Sequence, residues 1–512
     1  MNKDNIWDGV CIGSGITSLA FCAQVIKKHP NVKLLILEKH VVPGGYATLF
    51  TRPRKTKAYF DCSMHKISGS KLDGGNFRRL FDEMELGQEL ELIEHPDHFE
   101  ACLPNKEIRL PNDPTQVHAI LSKEFPHEKK GLEQYFDELL THGKDAYYHY
   151  QIMEGSYDVD INDLRFAHRN LKNITVSQAL DERFSDGLLK EILAAATIYV
   201  GGFSEDISYL YYLHVVYATL CKGNAYIIGS AQKLSDTLVE RITANGSQVK
   251  LKENVTKITK IEDDLFCIES KRAKYYARRV YINTAPHHAL NTLFKEDTEL
   301  APLRKKIKSL KPANSTTTLY LVTDCPPQEL GVTSSESMVF TSTNQACLDA
   351  RKKSLLTCEI NNFEEAFWHI GPMEITNYHT LNPEGGNVLC VNVLDKISHW
   401  PERNQPEYKE KKAQAMEVIL QRLYKAKPKL RGRITHAELA TPKTYERYTN
   451  NERGSGYGAL VESDGTAHNF HHFFPYKNVK FLSAWVSGSG YEAAFVYAEM
   501  MASKWQPVNT LP

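Results

Sequence analysis

The stretch Val10-Cys-Ile-Gly-Ser-Gly-Ile-Thr-Ser18, with Leu34-Leu-Ile-Leu-Glu38 downstream, constrains this chain more than any other part of it. It reads as a strand, a glycine turn, a helix and a second strand ending in an acid. Gly13 permits the tight turn, and Gly15 lets the backbone approach a pyrophosphate. The helix beginning near Ser14, with Ile16 and Thr17 in its first turn, aims free N–H groups and its positive dipole end at that anion. Glu38 stands 25 residues after Gly13, at the tip of the second strand, where a carboxylate accepts ribose hydroxyls. The third glycine of the GxGxxG pattern is replaced by Ser18, a residue still small enough for close helix–strand packing, and the run Gly13, Ser14, Gly15, Ile16, Thr17 and Ser18 is expected to contact the ligand.

The residues after the acid narrow the choice of ligand. Glu38-Lys39-His-Val-Val-Pro-Gly44-Gly45, followed by Tyr46, places a glycine pair just beyond it. A nicotinamide enzyme has no evident need of a second glycine-rich turn there. A flavoprotein does, because its chain must cross close to the diphosphate and the ribityl chain. A chance glycine turn is the rival reading, and it weakens once strand, turn, helix, strand, acid and glycine pair occur in order. FAD is therefore expected rather than NAD.

At 512 residues the chain is too long for one ordinary core, so two or three domains are expected. Lys plus Arg equals Asp plus Glu at 62 each, which leaves no basic excess for nucleic acid. The cysteines form no CxxC pair, which suits reduced thiols in the cytoplasm better than a disulfide framework. The N-terminal residues run directly into the first strand without an apolar signal segment. No run of apolar residues is long enough to span a membrane. The most apolar region, Leu188 to Leu220, reads as two core helices or as a lipid-facing or lipid-binding wall; the second reading predicts peripheral membrane contact.

Three separated segments look built for one domain. After the N-terminal unit comes Gly229 to Gly246, a helix with Leu234, Leu238 and Ile242 on one face and Asn245-Gly246 as its stop. Val249, the run from Val255 to Ile261, Phe266-Cys-Ile-Glu269 and Ala277 to Pro286 follow as strands, with Asp263-Asp264 at a hairpin turn. The C-terminus offers a strand over Val479–Trp485, a small-residue turn containing Gly488 and Gly490, and a helix over Glu492–Trp505. Between these segments lie helical and strand-like stretches, including a hairpin at His98–Leu110, a helix start at Asn112-Asp-Pro114, and an amphipathic helix over Glu407–Ala426. The expected class is α/β: a discontinuous Rossmann-like FAD-binding domain (1–75, 225–288, 445–512) with an inserted α+β substrate domain (76–224, 289–444).

With these segments in view, the chain resembles the phytoene desaturase, carotenoid isomerase and retinol saturase family of FAD-dependent oxidoreductases. The N-terminal GSGITSLA and EKHVVPGG resemble its FAD fingerprint. Phe60-Asp-Cys-Ser-Met-His65 is similar to its FDxGxH segment, and Thr441 to Gly458 to its TP…T…RY…G…YG stretch. The C-terminal SGSGYEAAFVYA is similar to the segment that closes over the flavin. The resemblance implies that Val255 meets the adenine through its backbone. The chain departs from the family pattern at Ser18, at Tyr46 where many members carry arginine, and at Ser63 in the glycine position of FDxGxH.

The resemblance implies hydride transfer at flavin N5 to or from an apolar substrate, a polyene or isoprenoid, with desaturation, saturation and isomerisation all open. His65 is the candidate catalytic acid or base, with a hydrogen-bonded core histidine as the alternative. Tyr491 and Glu492 open the last helix and either contact cofactor or substrate or cap that helix. His287-His288 and His471-His472 lack partners at metal-ligand spacing, so no metal is expected. The electron partner stays open among oxygen, a quinone and NAD(P). A flavin amine oxidase and a non-catalytic flavoprotein are the competing readings.

Overall fold

The computed structural model describes residues 6–507 except 64, 154–170, 172, 263, 341–371 and 462–473. Five short strands lie side by side, all parallel: β1 (Gly9–Ile12), β2 (Leu34–Leu37), β3 (Gln248–Lys250), β4 (Val280–Ile282) and β5 (Val479–Phe481). Their order across the sheet is β3-β2-β1-β4-β5. The start, middle and end of the sequence therefore share one sheet. β1, β2 and β4 are buried at every position, as a parallel sheet covered on both faces requires.

Three helices accompany the sheet: α1 (Ile16–Lys28), α2 (Ala231–Ala244) and α3 (Gly490–Ser503). α1 packs against both α2 and α3. Every residue from Thr17 to Ile26 is buried, so α1 is enclosed all round instead of showing a polar face. Ser18 fits this enclosure at 0% exposure, but its hydroxyl has no hydrogen-bond partner among the described residues.

An antiparallel ribbon of Val255–Glu262, Leu265–Ser270 and Lys274–Ala277 follows β3, with Ile6–Trp7 along its edge. The stretch from Ala277 to Pro286, expected as one strand, divides between two sheets. Lys274–Ala277 closes the ribbon, and the chain crosses at Arg278-Arg279 to enter β4. The strand expected over Val479–Trp485 stops at Phe481, and Ala484–Ser487 forms a helical turn instead. α3 accordingly starts at Gly490, two residues before the expected Glu492.

A second sheet holds seven strands in the order 434–440, 315–323, 388–395, 373–377, 336–339, 97–102, 107–111. It is antiparallel apart from the parallel pairing of 336–339 with 97–102. Helix Pro406–Ala426 lays Tyr408, Ala415, Ile419 and Leu423 against Leu319, Leu321, Leu389 and Val391 of this sheet. The helix Pro114–Glu124 starts as its residues dictate: Asp113 accepts from the Gln116 N–H at 2.8 Å, with Pro114 at the first helical position.

The apolar region at 188–220 turns inward. No residue from 188 to 220 is exposed, and Leu189, Ile192, Tyr209, Tyr212 and Leu213 share one core with Leu132, Tyr135 and Leu180. Among the described residues these are core helices. No described helix is long and apolar enough to cross one.

The orphaned hydroxyl in α1 has a measurable consequence. Ser18→Ala removes a buried, unbonded polar group and installs a better helix former. It is expected to stabilise the fold by about 1 kcal/mol, seen as a raised melting temperature.

Candidate active site

A cavity of about 960 Å³ runs past the C-terminal ends of β1 and β2. That size is at the upper end of the roughly 300–1,000 Å³ typical of ligand pockets. Its first part is made of bare backbone. Gly13 has φ +99°, and an added Cβ there would lie 2.6 Å from the Asn283 carbonyl oxygen. At Gly44, with φ +114°, a Cβ would lie 2.3 Å from the Ala47 carbonyl oxygen. The Gly44 N–H donates to the Ser14 carbonyl at 3.0 Å, and Gly15 pairs with Gly44 as a parallel bridge. The glycine pair is thus laid directly on the first turn, and Gly13, Gly15, Gly44 and Gly45 all face the cavity.

Two helices begin here. Gly15 at the start of α1 and Ser489 at the start of α3 provide no side-chain cap, so first-turn N–H groups remain available to an anion. Ile16 and Thr17 line the cavity at one helix start, and Gly488, Gly490, Tyr491 and Glu492 at the other. Glu38 lies between the first turn and the ribbon. Its Oε2 accepts from the Ser14 N–H at 2.9 Å and hydroxyl at 2.7 Å, and its Oε1 accepts from the His40 N–H at 2.8 Å. An ionised carboxylate offers about four lone-pair sites, so room for a ribose hydroxyl remains. Lys39 and Val255 line the same end, and burial lowers the Lys39 ammonium to about 8. Two closely laid glycine turns, two uncapped helix starts and a ribose-facing acid fit a dinucleotide.

Two of the expected contact residues do not reach the cavity. Ser14 is buried and spends its N–H and hydroxyl on Glu38, so it orients the acid. Ser18 lies inside the helix packing. Tyr46 lines the cavity and donates its hydroxyl to the Ser455 carbonyl at 2.9 Å. Ser63 donates to the Tyr46 carbonyl at 2.9 Å, which gives the side chain at this position a structural use. Glu492 neither caps α3 nor faces the cavity with free oxygens. It accepts from the Ser68 hydroxyl and the Tyr147 hydroxyl, each at 2.5 Å, and burial raises its pKa. His288 lines the cavity, while His287 Nε2 turns to the Ile307 carbonyl at 3.1 Å; His471-His472 lie outside the described residues.

The far wall comes from the second sheet and the inserted helices. His65 is set in it. His65 Nδ1 is 2.9 Å from the Tyr378 hydroxyl and 3.1 Å from Thr376 Oγ1, and Nε2 accepts from Asn392 Nδ2 at 2.8 Å. The Thr318 hydroxyl donates to Asn392 Oδ1 at 2.8 Å, which orients that amide and assigns the imidazole proton to Nδ1. Burial lowers the His65 pKa to about 4, so the ring is neutral near pH 7. His65 is thus both hydrogen-bonded in the interior and present at the cavity surface.

Around it stands a set of groups that sequence reasoning missed. Asn392 gives its second N–H to Glu374 Oε2 at 3.0 Å. Lys66 Nζ is 2.9 Å from Glu336 Oε2 and 5.1 Å from the centre of the Tyr199 ring; the Tyr199 hydroxyl also donates to Glu336. Lys66, Tyr199, Glu374 and Asn392 line the cavity beside the apolar Ile198, Val200 and Val215. Burial raises the pKa of both Glu336 and Glu374. A signal for two of them was present: Glu374 and Asn392 interrupt the apolar strand runs Met373-Glu-Ile and Val391-Asn-Val.

Two outcomes follow from this geometry. Gly13→Ala forces a Cβ into the backbone of Asn283; it is expected to lower the melting temperature and release the dinucleotide on gel filtration. His65 binds a proton more readily unfolded (about 6.5) than folded (about 4), so the stability its neutral form carries is present above about pH 6.5. That stability is lost as pH falls through 4, by up to about 1.4 kcal/mol per pH unit. Denaturant melts of wild type and His65→Gln should therefore diverge below pH 6.5, with the wild type the more acid-sensitive of the two.

The description "NAD(P)-binding Rossmann-like domain" matches residues 11–84, which hold the first glycine turn, Glu38 and the glycine pair. A chloroplastic prolycopene isomerase of Daucus carota is 23% identical over 487 residues, covering 90% of this chain and 73% of that protein. An all-trans-retinol 13,14-reductase of Danio rerio is 21% identical over 493 residues, covering 88% and 77%. Among solved structures, a putrescine oxidase superposes with a TM-score of 0.64 at 15% identity, over 97% of this chain and 98% of that one. That likeness establishes the flavin amine oxidase type of fold: a Rossmann-like parallel sheet whose strands come from separate parts of the chain. By fold, by the N-terminal dinucleotide unit and by relatives along most of its length, the chain is similar to FAD-dependent oxidoreductases that include a carotenoid isomerase and a retinol reductase.

Proposed function

We propose that this protein binds FAD and acts on carbon–carbon bonds of an apolar substrate, a polyene or isoprenoid. The observation that carries the reading is the continuity of the cavity. One volume joins the glycine cradle and the two helix starts to a wall of Ile198, Val200 and Val215 with neutral His65 set in it. When bound, FAD supplies hydride exchange at its N5.

The chain's own residues do the rest. The bare backbone at Gly13–Gly15 and Gly44–Gly45 admits the diphosphate, and Glu38 takes the ribose. Ile198, Val200 and Val215 exclude water from the far end and hold an apolar chain there. His65, oriented by Asn392, Tyr378 and Thr376, holds its proton on Nδ1 and keeps Nε2 as an acceptor. With both ring nitrogens bonded to these groups, proton exchange with substrate at Nε2 requires the Asn392 contact to give way first. The sequence relatives, named for a polyene isomerase and a retinol reductase, support carbon–carbon chemistry. Oxidation of a C–N bond is the second reading, favoured by the Tyr46 and Tyr445 rings at the cavity, 6.0 Å apart between centres.

The test is spectroscopic. The purified protein is expected to carry an oxidised-flavin spectrum that dithionite bleaches. Anaerobic mixing with polyenes should change the flavin absorbance, by bleaching the oxidised form in desaturation or reoxidising flavin first reduced with dithionite in saturation, while primary amines leave it unchanged. A colourless protein, or bleaching by amines alone, overturns the proposal. Recovery in oxygen, a quinone or NAD(P) then identifies the electron partner.

A further inference from the structure

A second histidine meets the cavity with a nitrogen to spare. The helix Tyr209–Val216 and the turn that continues it, Tyr217–Cys221, set Tyr211, His214, Val215, Ala218 and Thr219 on one face, and all five line the cavity. Tyr209, Tyr212, Leu213 and Val216 turn into the core instead. His214 is partly exposed although it lies deep in the protein, so what it meets is the cavity and not bulk solvent. Burial lowers its pKa, and the Ala146 carbonyl, which accepts from one ring N–H, opposes that only in part; the ring is neutral at pH 7. A neutral imidazole protonated on one nitrogen keeps the other as an acceptor. Among the described residues nothing bonds that second nitrogen, and it is not sealed into the interior.

Two aromatic rings hold the imidazole in place. Tyr211 stacks on it at 17° with centres 6.0 Å apart, and the centre of the Tyr147 ring is 5.7 Å away. The Tyr211 hydroxyl bonds Ser489 at the start of α3 and lies 3.7 Å from the place of a Gly488 Cβ. One ring therefore separates His214 from the uncapped helix start at the dinucleotide cradle. His65 differs, because both of its nitrogens are already bonded.

We propose that His214 is the catalytic acid–base residue, exchanging through its second ring nitrogen the proton that accompanies the hydride, while His65 serves to position the opposite wall. The inference rests on the flavin and apolar-substrate reading above and assigns the proton in it. In desaturation one C–H bond gives up its hydrogen with both electrons to FAD, the oxidant. The neighbouring carbon gives a proton to the free nitrogen of His214, and the electrons of that second C–H bond form the new double bond. The substrate has then lost two hydrogens, FAD is reduced by two electrons, and the imidazolium passes its proton to water. Saturation runs the same transfers backwards, with the imidazolium as donor. Val215 and Ala218 flank His214 on the same face, so an apolar chain lying along them meets this nitrogen as a proton acceptor.

The experiment uses the flavin-loaded enzyme, diethyl pyrocarbonate as a probe of free imidazole nitrogens, and farnesene, an isoprenoid polyene hydrocarbon, as an occupant of the cavity. Labelled peptides are read by mass spectrometry. His214 is expected to take the label and His65 to escape it, and farnesene should protect His214. His214→Ala is then mixed anaerobically with the polyene that gives the largest flavin response in wild type. That response is expected to slow about a hundredfold with flavin content unchanged, and added imidazole should restore part of it. His214→Gln, which fills the same space and takes no proton, should be as slow. An unlabelled His214, labelling that farnesene does not block, or a wild-type rate in His214→Ala overturns the inference. A rate restored by His214→Gln overturns it by assigning the ring to packing, and loss of flavin from His214→Ala overturns it by assigning the residue to the cofactor. If no polyene changes the wild-type flavin absorbance, the apolar-substrate reading fails and the inference with it. Should His214→Ala fail to fold, the labelling and the rate of His214→Gln decide the question.

Discussion

The rest of this structure depends on a backbone-to-backbone contact. The turn at Gly13–Gly15 and the pair Gly44–Gly45 approach so closely that the Gly44 N–H reaches the Ser14 carbonyl and the place of a Gly45 Cβ is 3.2 Å from Gly15 Cα. A side chain at these positions would part the two turns. With them together, Ser14 can reach Glu38, α1 starts with its N–H groups uncovered, and the cavity has one wall of peptide alone. An anion can approach such a wall more closely than one covered by side chains.

The second organising element is polar and buried. Glu492, in the first turn of the last helix, is held by Ser68 and by Tyr147 of an inserted helix, while Gly69 leaves no Cβ in its way. These contacts fasten the C-terminal helix start to residues several hundred positions earlier, beside the turn that carries His65. Breaking one partner would strand a polar group in the interior, so such a tie is costly to lose and fixes one arrangement of the segments. The Asn392 amide does the same on the opposite wall, linking Thr318, His65 and Glu374 across the second sheet.

The cradle was legible in the sequence because its signals are local. A strand, a glycine turn, a helix and an acid lie within forty residues, and each has its own residue signature. The Asn245-Gly246 stop and the Asp113-Pro114 start were legible for the same reason. Strand limits were less so where the chain changes sheets. Nothing in Ala277 to Pro286 announces the break at Arg278-Arg279, and Ser483 to Trp485 carries no mark of its turn into helix. Ser14 and Ser18 looked like contact residues from their place in the motif. The direction each faces depends on Glu38 in one case and on the packing of α2 and α3 against α1 in the other.

By itself the sequence determined the α/β class, the dinucleotide cradle and the kinship with flavin oxidoreductases, because short-range glycine and acid spacing is a sufficient code for a peptide-lined anion site. Only the tertiary structure decided what stands opposite that cradle. Lys66, Tyr199, Glu336, Glu374 and Asn392 come from five separate stretches of chain. They acquire their pairing and burial from one another. A carboxylate's charge in an interior is set by how many cations reach it, and that number exists only once the two sheets and the inserted helices are assembled.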